Sequence, residues 1–320
     1  MRYILFFIFP LILFSNELIK RDKQILSLIT ENDAYFEPFI KSDRYYTAGH
    51  YLSYTSKEFD DSFMNKIAVF SHFYDKSLSS FSVSLNQEIY TPEDKHRIPL
   101  KKDDALFGGY LYANITISNR ADEFLEQIGF DIGVVGPYAL GRQVQNGVHK
   151  ITNNRQVEGW KYQIKNEFIM NFYYNIIYRL NLFDNIFDIS PNFLLSLGNA
   201  NIYADAGIKL RIGYGLNNDF AIPSVRNRIV SNTIEDGFRI YLLGGLKYKF
   251  VGRNIFLEGN TIRGVKGNLS LNRMIYEMEI GALIGYKNFA ISYLFTNRQK
   301  EFKTQSTNHT YGSIRFEISF

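Results

Sequence analysis

Tyr311-Gly-Ser-Ile-Arg-Phe-Glu-Ile-Ser-Phe320 is the stretch of sequence that points most directly to a fold class, because its apolar and polar residues alternate. Successive side chains on a β-strand point to opposite faces, so Ile314, Phe316, Ile318 and Phe320 share one face. One face then suits lipid and the other suits a polar interior, which is typical of a transmembrane β-barrel. A strand of a soluble β-sandwich can show the same alternation, so the rest of the sequence must decide between the two.

The first residues predict a secreted chain. Arg2 precedes the apolar run 4–14, which contains no acidic residue. A helix that spans a bilayer needs about 20 apolar residues, so this run is too short to span and matches the core of a signal peptide. We therefore predict a signal peptide at 1–16 and a mature chain at 17–320.

Composition favours a β-barrel in the bacterial outer membrane. Beyond residue 20 the sequence contains no stretch long enough for a transmembrane helix, so a membrane-spanning chain must form a closed barrel. Aromatic residues make up 16% of the 320 residues while the mean hydropathy is only −0.17, a mixture that aromatic girdles and half-polar strands produce. The absence of cysteine excludes disulfides and thiolate chemistry, and a net charge of +4 without a basic block argues against nucleic-acid binding. We expect a single all-β domain, a transmembrane antiparallel β-barrel, present as a monomer.

Alternation and turn signals predict about twelve strands. The predicted strands are 24–33, 45–56, 79–90, 105–119, 122–135, 161–181, 186–197, 200–213, 237–262, 274–286, 288–298 and 310–320. Most long connections follow odd-numbered strands and most tight turns follow even-numbered ones, as expected for long outer loops and short periplasmic turns. Two long segments, 57–78 and 214–236, and the tight turn Gly198-Asn199 break this rule. They predict either extended periplasmic loops or misplaced strands 7 to 9.

One outer loop carries residues that suit chemistry. Over 139–150 the sequence predicts a short helix, because Leu140, Val144 and Val148 would form one apolar face. Gln145 and His149 are four residues apart, so their side chains would be neighbours on that helix. The other histidines, among them His50 and His96, have no comparable neighbour in the sequence. A solvated outer helix would also explain the pair, and it is the more common explanation of a lone histidine.

Hard oxygen donors concentrate at the outer ends of the early strands. They are the carboxylates of Asp33 and Glu158, the amide of Asn32 and the hydroxyl of Thr47. Calcium prefers such ligands, although acidic loop ends are common and the sequence contains no EF-hand spacing. The sequence also lacks a Gly-x-Ser-x-Gly elbow, so a serine-triad hydrolase has no support from motifs.

Five segments in order resemble the outer-membrane lipid A 3′-O-deacylase family. They are Glu31-Asn32-Asp33, Asp43-Arg44-x-Tyr46-Thr47-x-Gly49, Ile89-Tyr90-Thr91-Pro92, Gly136-Pro-x-x-Leu140-Gly-Arg-Gln143-x-Gln145-x-x-Val148-His149 and Gly159-Trp160-x-x-Gln163. Two further segments in the C-terminal half, Gly252-Arg-Asn-Ile-Phe-Leu-Glu-Gly-Asn260 and Lys300-Glu-Phe302, extend the resemblance over most of the mature chain. Each segment alone is weak, but together they are specific.

This resemblance implies a twelve-stranded barrel that uses Ca²⁺ to hydrolyse the ester carrying the 3′-acyloxyacyl group of lipid A, within lipopolysaccharide of the outer leaflet. The implied catalytic residues are His149, Asn32, Asp33, Gln145 and Thr47. The implied calcium ligands are Asp33, Glu158 and Thr47, and Lys95 or Arg97 would bind substrate. Two other functions remain open: a calcium-dependent outer-membrane phospholipase, which would normally carry a serine nucleophile, and a non-enzymatic barrel.

Overall fold

A computed structural model describes residues 18–35, 44–60, 62–70, 74, 76–230, 237–262 and 264–320. The predicted signal peptide at 1–16 lies outside this part of the chain. The strands are β1 (Ile25–Asn32), β2 (Tyr45–Thr55), β3 (Leu78–Thr91), β4 (Gly108–Arg120), β5 (Phe124–Val135), β6 (Glu167–Tyr178), β7 (Leu180–Phe183), β8 (Phe187–Gly198), β9 (Asn201–Tyr214), β10 (Phe238–Asn254), β11 (Met274–Tyr286), β12 (Phe289–Arg298) and β13 (His309–Ser319). The α-helices are α1 (Ser62–Ile67), α2 (Gly141–Ile151) and α3 (Ile255–Glu258).

All of these strands belong to one antiparallel sheet, and the pairing of β6 with β8 closes it. Only Arg179 separates β6 from β7. The register in which Ile177 lies opposite Asn192 continues unchanged to Leu180 opposite Ile189, so β6 and β7 form a single strand against β8. The protein is therefore a closed barrel of twelve strands, which confirms the predicted fold class.

The final strand shows how the barrel divides lipid from lumen. Phe316 is 49% exposed on the outward side of β13, whereas Arg315 and Glu317 are buried on the inward side. The guanidinium of Arg315 lies 2.7 Å from the Glu317 carboxylate, so charges inside the barrel neutralise each other. In the described part of the chain no helix has both the length and the apolar character needed to cross a membrane.

The connection between β9 and β10 fills the lumen. Its described part, 215–230, which we call the plug, enters from the end opposite to α2. The backbone N–H of Val225 donates to Glu31 on β1, and Arg228 lies 2.8 Å from the carboxylate of Asp131 on β5. In its described part, the long segment predicted at 214–236 is thus an extended connection at the inner end, and the strands predicted on both sides of it are present, although the one predicted at 237–262 ends early.

Two predicted strand boundaries were wrong, each because a short helix replaces part of a strand. The strand predicted at 161–181 begins only at Glu167, after a 3-10 helix over Gly159–Tyr162. The strand predicted at 237–262 ends at Asn254, whose side-chain oxygen accepts the N–H of Phe256 and so starts α3. An N-cap of this kind satisfies a helix donor that a strand would have paired with its neighbour.

Candidate active site on the outer wall

The loop helix α2 lies against the lipid-facing side of the barrel. Gln87 points outward from β3, because its neighbour Glu88 faces the lumen, and its Nε2 donates to the carbonyl of Ala139 over 2.7 Å. On β4, a Cβ added to Gly109 would lie 3.1 Å from the Cβ of Ala139 and from the nitrogen of Gly141. The loop therefore packs onto the sheet where β4 has no side chain. The helix predicted at 139–150 is present as α2.

Trp160 fixes the side chain of Gln145. Its indole N–H donates to Oε1 of Gln145 over 2.7 Å, and its ring packs with Ala48 and Ile89 on the outward sides of β2 and β3. Both Trp160 and Gln145 are buried. Within the described residues Nε2 of Gln145 has no hydrogen-bond partner, so this buried amide keeps a donor that the protein does not use. Such a donor is costly to bury without a partner, which suits a binding role.

His149 is held in one tautomer. It lies at the end of α2, 5% exposed, with Nδ1 2.6 Å from the backbone oxygen of Arg155. A carbonyl oxygen only accepts, so Nδ1 carries a proton, and in the neutral ring Nε2 is the basic nitrogen. This is the tautomer that a general base acting through Nε2 requires.

Asn32 and Asp33 lie where β1 ends. Oδ2 of Asp33, which is 1% exposed, accepts the backbone N–H of Arg44 over 2.9 Å, and Oδ1 of Asn32 accepts that of Ala34. In the sheet register Asn32 lies opposite Ala48, which belongs to the same cluster as Trp160. The end of β1 and the helix that carries His149 therefore lie on the same part of the wall, across β1 to β4.

Thr47 occupies a β-bulge. Tyr46 lies opposite Tyr90 and Ala48 opposite Ile89, so Thr47 is an extra residue in β2. Its hydroxyl lies 2.8 Å from that of Thr91. Bulges redirect side chains and are frequent beside active sites.

The sequence of the chain matches the family described as "Outer membrane protein LpxR" over residues 3–320. The chain belongs to the LpxR family. This confirms the family that the sequence motifs resemble, and with the closed barrel it confirms the outer-membrane location. A search of curated proteins gives no match.

A solved LpxR structure has a similar fold. LpxR from Salmonella typhimurium superposes with a TM-score of 0.76 at 23% identity, covering 92% of this chain and 100% of that one. The β domain of the Bordetella autotransporter BrkA gives 0.45 at 9% identity, covering 94% and 99%. The superposition on LpxR from Salmonella typhimurium supports the barrel architecture described above.

The remaining residues predicted for the LpxR-type site lie in two loops. Glu158 is exposed immediately before the 3-10 helix that carries Trp160. Lys95 is half-buried, and its backbone oxygen would lie 3.2 Å from a Cβ at Gly159, whereas Arg97 is exposed. The loop of Lys95 thus packs beside the loop of Glu158. The roles of Glu158, Lys95 and Arg97 stay predictions.

His96 lies in the same region, although the sequence did not indicate that it is near the candidate site. Burial, followed by the charges of Lys95 and Arg155, lowers the pKa of His96 below its ordinary value of 6.5, and His149 acts in the same direction. The side chains of Lys95, Arg155 and His149 therefore lie near enough to His96 to affect it, and the carboxylate of Asp94 acts in the opposite direction. The sequence could not reveal this, because the loops that carry Lys95 and Arg155 meet only in the folded barrel.

Proposed function

We propose that this LpxR-family chain hydrolyses the ester that carries the 3′-acyloxyacyl group of lipid A, as a calcium-dependent monomer in the outer membrane. The observation that carries the proposal is the position of His149. Its helix lies on the lipid-facing side of the wall and its Nδ1 is held by the carbonyl of Arg155 at 2.6 Å. A site at that position meets lipids without a tunnel through the barrel.

His149 acts as the general base in this proposal. Nε2 takes a proton from the water that attacks the ester carbonyl, while the Nδ1–H stays bonded to the oxygen of Arg155. A correctly placed base typically contributes about 10²–10⁴ in rate. The bond to Arg155 keeps the ring from turning and keeps the lone pair on the reacting side.

Gln145 supplies a donor for the developing oxyanion. Its Oε1 is occupied by Trp160, so its orientation is fixed and its Nε2 presents two N–H groups away from the indole. Donors that are oriented before the reaction stabilise the charge of the transition state without a cost of rearrangement.

The donor set fits calcium. Among the described residues no three His, Cys, Asp or Glu side chains converge, so carboxylates alone would not hold an ion. Asp33, Thr47 and Glu158 offer carboxylate and hydroxyl oxygens, and calcium completes its shell with amide oxygens and water. When bound, the ion would polarise the ester carbonyl and stabilise negative charge on its oxygen. The cation of Lys95, or that of Arg97, would bind a sugar phosphate.

Mass spectrometry of lipids tests the proposal. Lipid A from cells that express the protein should lose the mass of the 3′-acyloxyacyl group, and cells with His149→Asn should keep it. Tyr138→Phe, at a 71% exposed position of the same loop, serves as a control that should act as wild type. Lysophospholipid instead of the lipid A product would identify a phospholipase. No change in either lipid would favour a non-enzymatic barrel.

A further inference from the structure

A row of three polar side chains crosses the lipid-facing wall just below the candidate site. Thr30 on β1 lies opposite His50 on β2, which lies opposite Gln87 on β3. Each points outward, because the adjacent residues, such as Glu31 and Glu88, are buried in the lumen. Side chains at this level of a membrane barrel normally face hydrocarbon and are apolar.

The row lies among apolar side chains on the strands around it. Leu28, Leu52 and Leu85 lie below it, Ile314 and Leu111 lie at its two sides, and Ala48 and Ile89 lie above it, where the loop of Trp160 covers them. Asn32 of the candidate site lies directly above Thr30 on the same face. A polar group inside an apolar surface has a cost that a function must offset.

Thr30 and His50 belong to a small cluster of polar groups that can form further hydrogen bonds. The hydroxyl of Thr30 lies 2.9 Å from that of Tyr35 and 3.4 Å from Nδ1 of His50. Among the described residues Nε2 of His50 has no hydrogen-bond partner, and both Thr30 and His50 are partly exposed. Gln87 is already committed to Ala139. Thr30 and His50 are therefore the members that can reach a lipid.

A shallow apolar groove, open to the outside of the wall, lies below the row. It has a volume of about 690 Å³, and its lining includes Leu26, Leu28, Leu52, Ile291 and Phe316. Two residues along a strand span about 7 Å, which is the separation between the Asn32 level and the Thr30 level. From top to bottom, the wall presents the candidate site, the polar row and then a surface for hydrocarbon.

We propose that Thr30 and His50 recognise the second oxygen of an acyloxyacyl chain, the ester oxygen on its third carbon, while the tail lies along the apolar groove below. This inference rests on the proposed function and names which chains the site prefers. The oxygen lies a few bonds beyond the carbonyl under attack, so it reaches the row when that carbonyl is at the site. A chain without this oxygen leaves the row unpaired.

A comparison of two substrates tests the proposal. We would measure kcat/KM of the purified full chain, in detergent micelles, for lipid A whose 3′ chain carries the secondary ester and for lipid A whose 3′ chain lacks that oxygen. Wild type should prefer the first by about tenfold, the contribution of one or two hydrogen bonds. The double variant Thr30→Val with His50→Leu should lose this preference by slowing only on the oxygenated substrate, and Thr30→Ser should keep it.

Tyr248→Phe is the matched control, because it removes a hydroxyl from the lipid-facing side of β10, four strands from β1. Apolar substitutions on this face are compatible with insertion, and heat-modifiable migration in gels confirms folding. Two results would overturn this inference and leave the proposed function standing: equal rates of the wild type on the two substrates, or an equal loss of rate on the two substrates in the double variant. If the wild type hydrolyses neither substrate, this inference and the proposed function are both overturned.

Discussion

Val225 of the plug donates its backbone N–H to Oε1 of Glu31 over 2.9 Å, and Glu31 directly precedes Asn32. The same carboxylate accepts the hydroxyl of Tyr46 on β2 and that of Ser313 on β13. One buried side chain thus joins the plug, three adjacent strands and the end of β1 where the candidate site begins.

Glu31→Ala should loosen this end of the barrel and lower activity. It leaves three buried donors without an acceptor, and each unsatisfied group costs about 1–3 kcal/mol. Heat-modifiable migration in gels measures whether the barrel is folded. The fluorescence of Trp160, the single tryptophan, measures changes in the packing of the candidate site. Glu31→Gln keeps an accepting oxygen and should lie between the alanine variant and wild type. Wild-type behaviour of Glu31→Ala in both measurements would show that the plug does not support the site.

Trp160→Phe should slow the reaction without unfolding the barrel. It keeps the aromatic packing and removes only the N–H that orients Gln145, so we expect about a tenfold lower kcat and a similar KM. Gln145→Ala should cost more, about 10²–10³ in kcat, because it removes the oxyanion donor itself. Steady-state kinetics give kcat and KM of both variants, and Tyr138→Phe serves as the control. An unchanged kcat in Gln145→Ala would exclude an oxyanion role.

Calcium removal should abolish turnover, and added calcium should restore it. Asp33→Asn removes the negative charge of the predicted ligand and keeps one oxygen, so it should raise the free calcium concentration needed for half-maximal rate. Titration of activity with calcium after chelation measures this shift, and magnesium at the same concentration serves as the control ion. Full turnover in excess chelator would remove Asp33 and Glu158 from the ligand set.

Acidification should loosen the loop that carries His96. The pKa of His96 in the folded protein lies below 6.5, so the unfolded loop binds a proton first and stability falls as pH drops below that value. Hydrogen exchange over 92–107, measured above and below pH 6.5, should show the loss of protection. His96→Gln, compared at the same pH values, should remove the extra pH dependence. An equal dependence in that variant would assign the effect to another group.

The barrel could be predicted because the alternation of apolar and polar residues can be read within each strand separately. Around Arg315 and Glu317 this alternation indicates which face of β13 meets lipid, and the same rule located the other strands to within a few residues. The exceptions at Glu167 and Asn254 arise where short helices interrupt a pattern that alternation alone extends.

The plug and part of the site depend on contacts between distant residues. Arg228 looks like a solvated loop residue in the sequence, and only the closed barrel brings it to Asp131, 97 positions away. Helical spacing in the sequence predicted that Gln145 and His149 are neighbours on α2. It could not predict the hydrogen bond between Gln145 and Trp160, because that bond forms when the chain after α2 folds back over the wall.

The position of α2 on the outside of the wall also determines how a lipid arrives there. A molecule already in the outer leaflet reaches it by lateral diffusion and never has to be lifted into water. Turnover should therefore follow the mole fraction of substrate in the surrounding leaflet instead of its bulk concentration. Diluting the substrate with inert lipid, at a constant amount of protein and substrate, should slow each enzyme molecule.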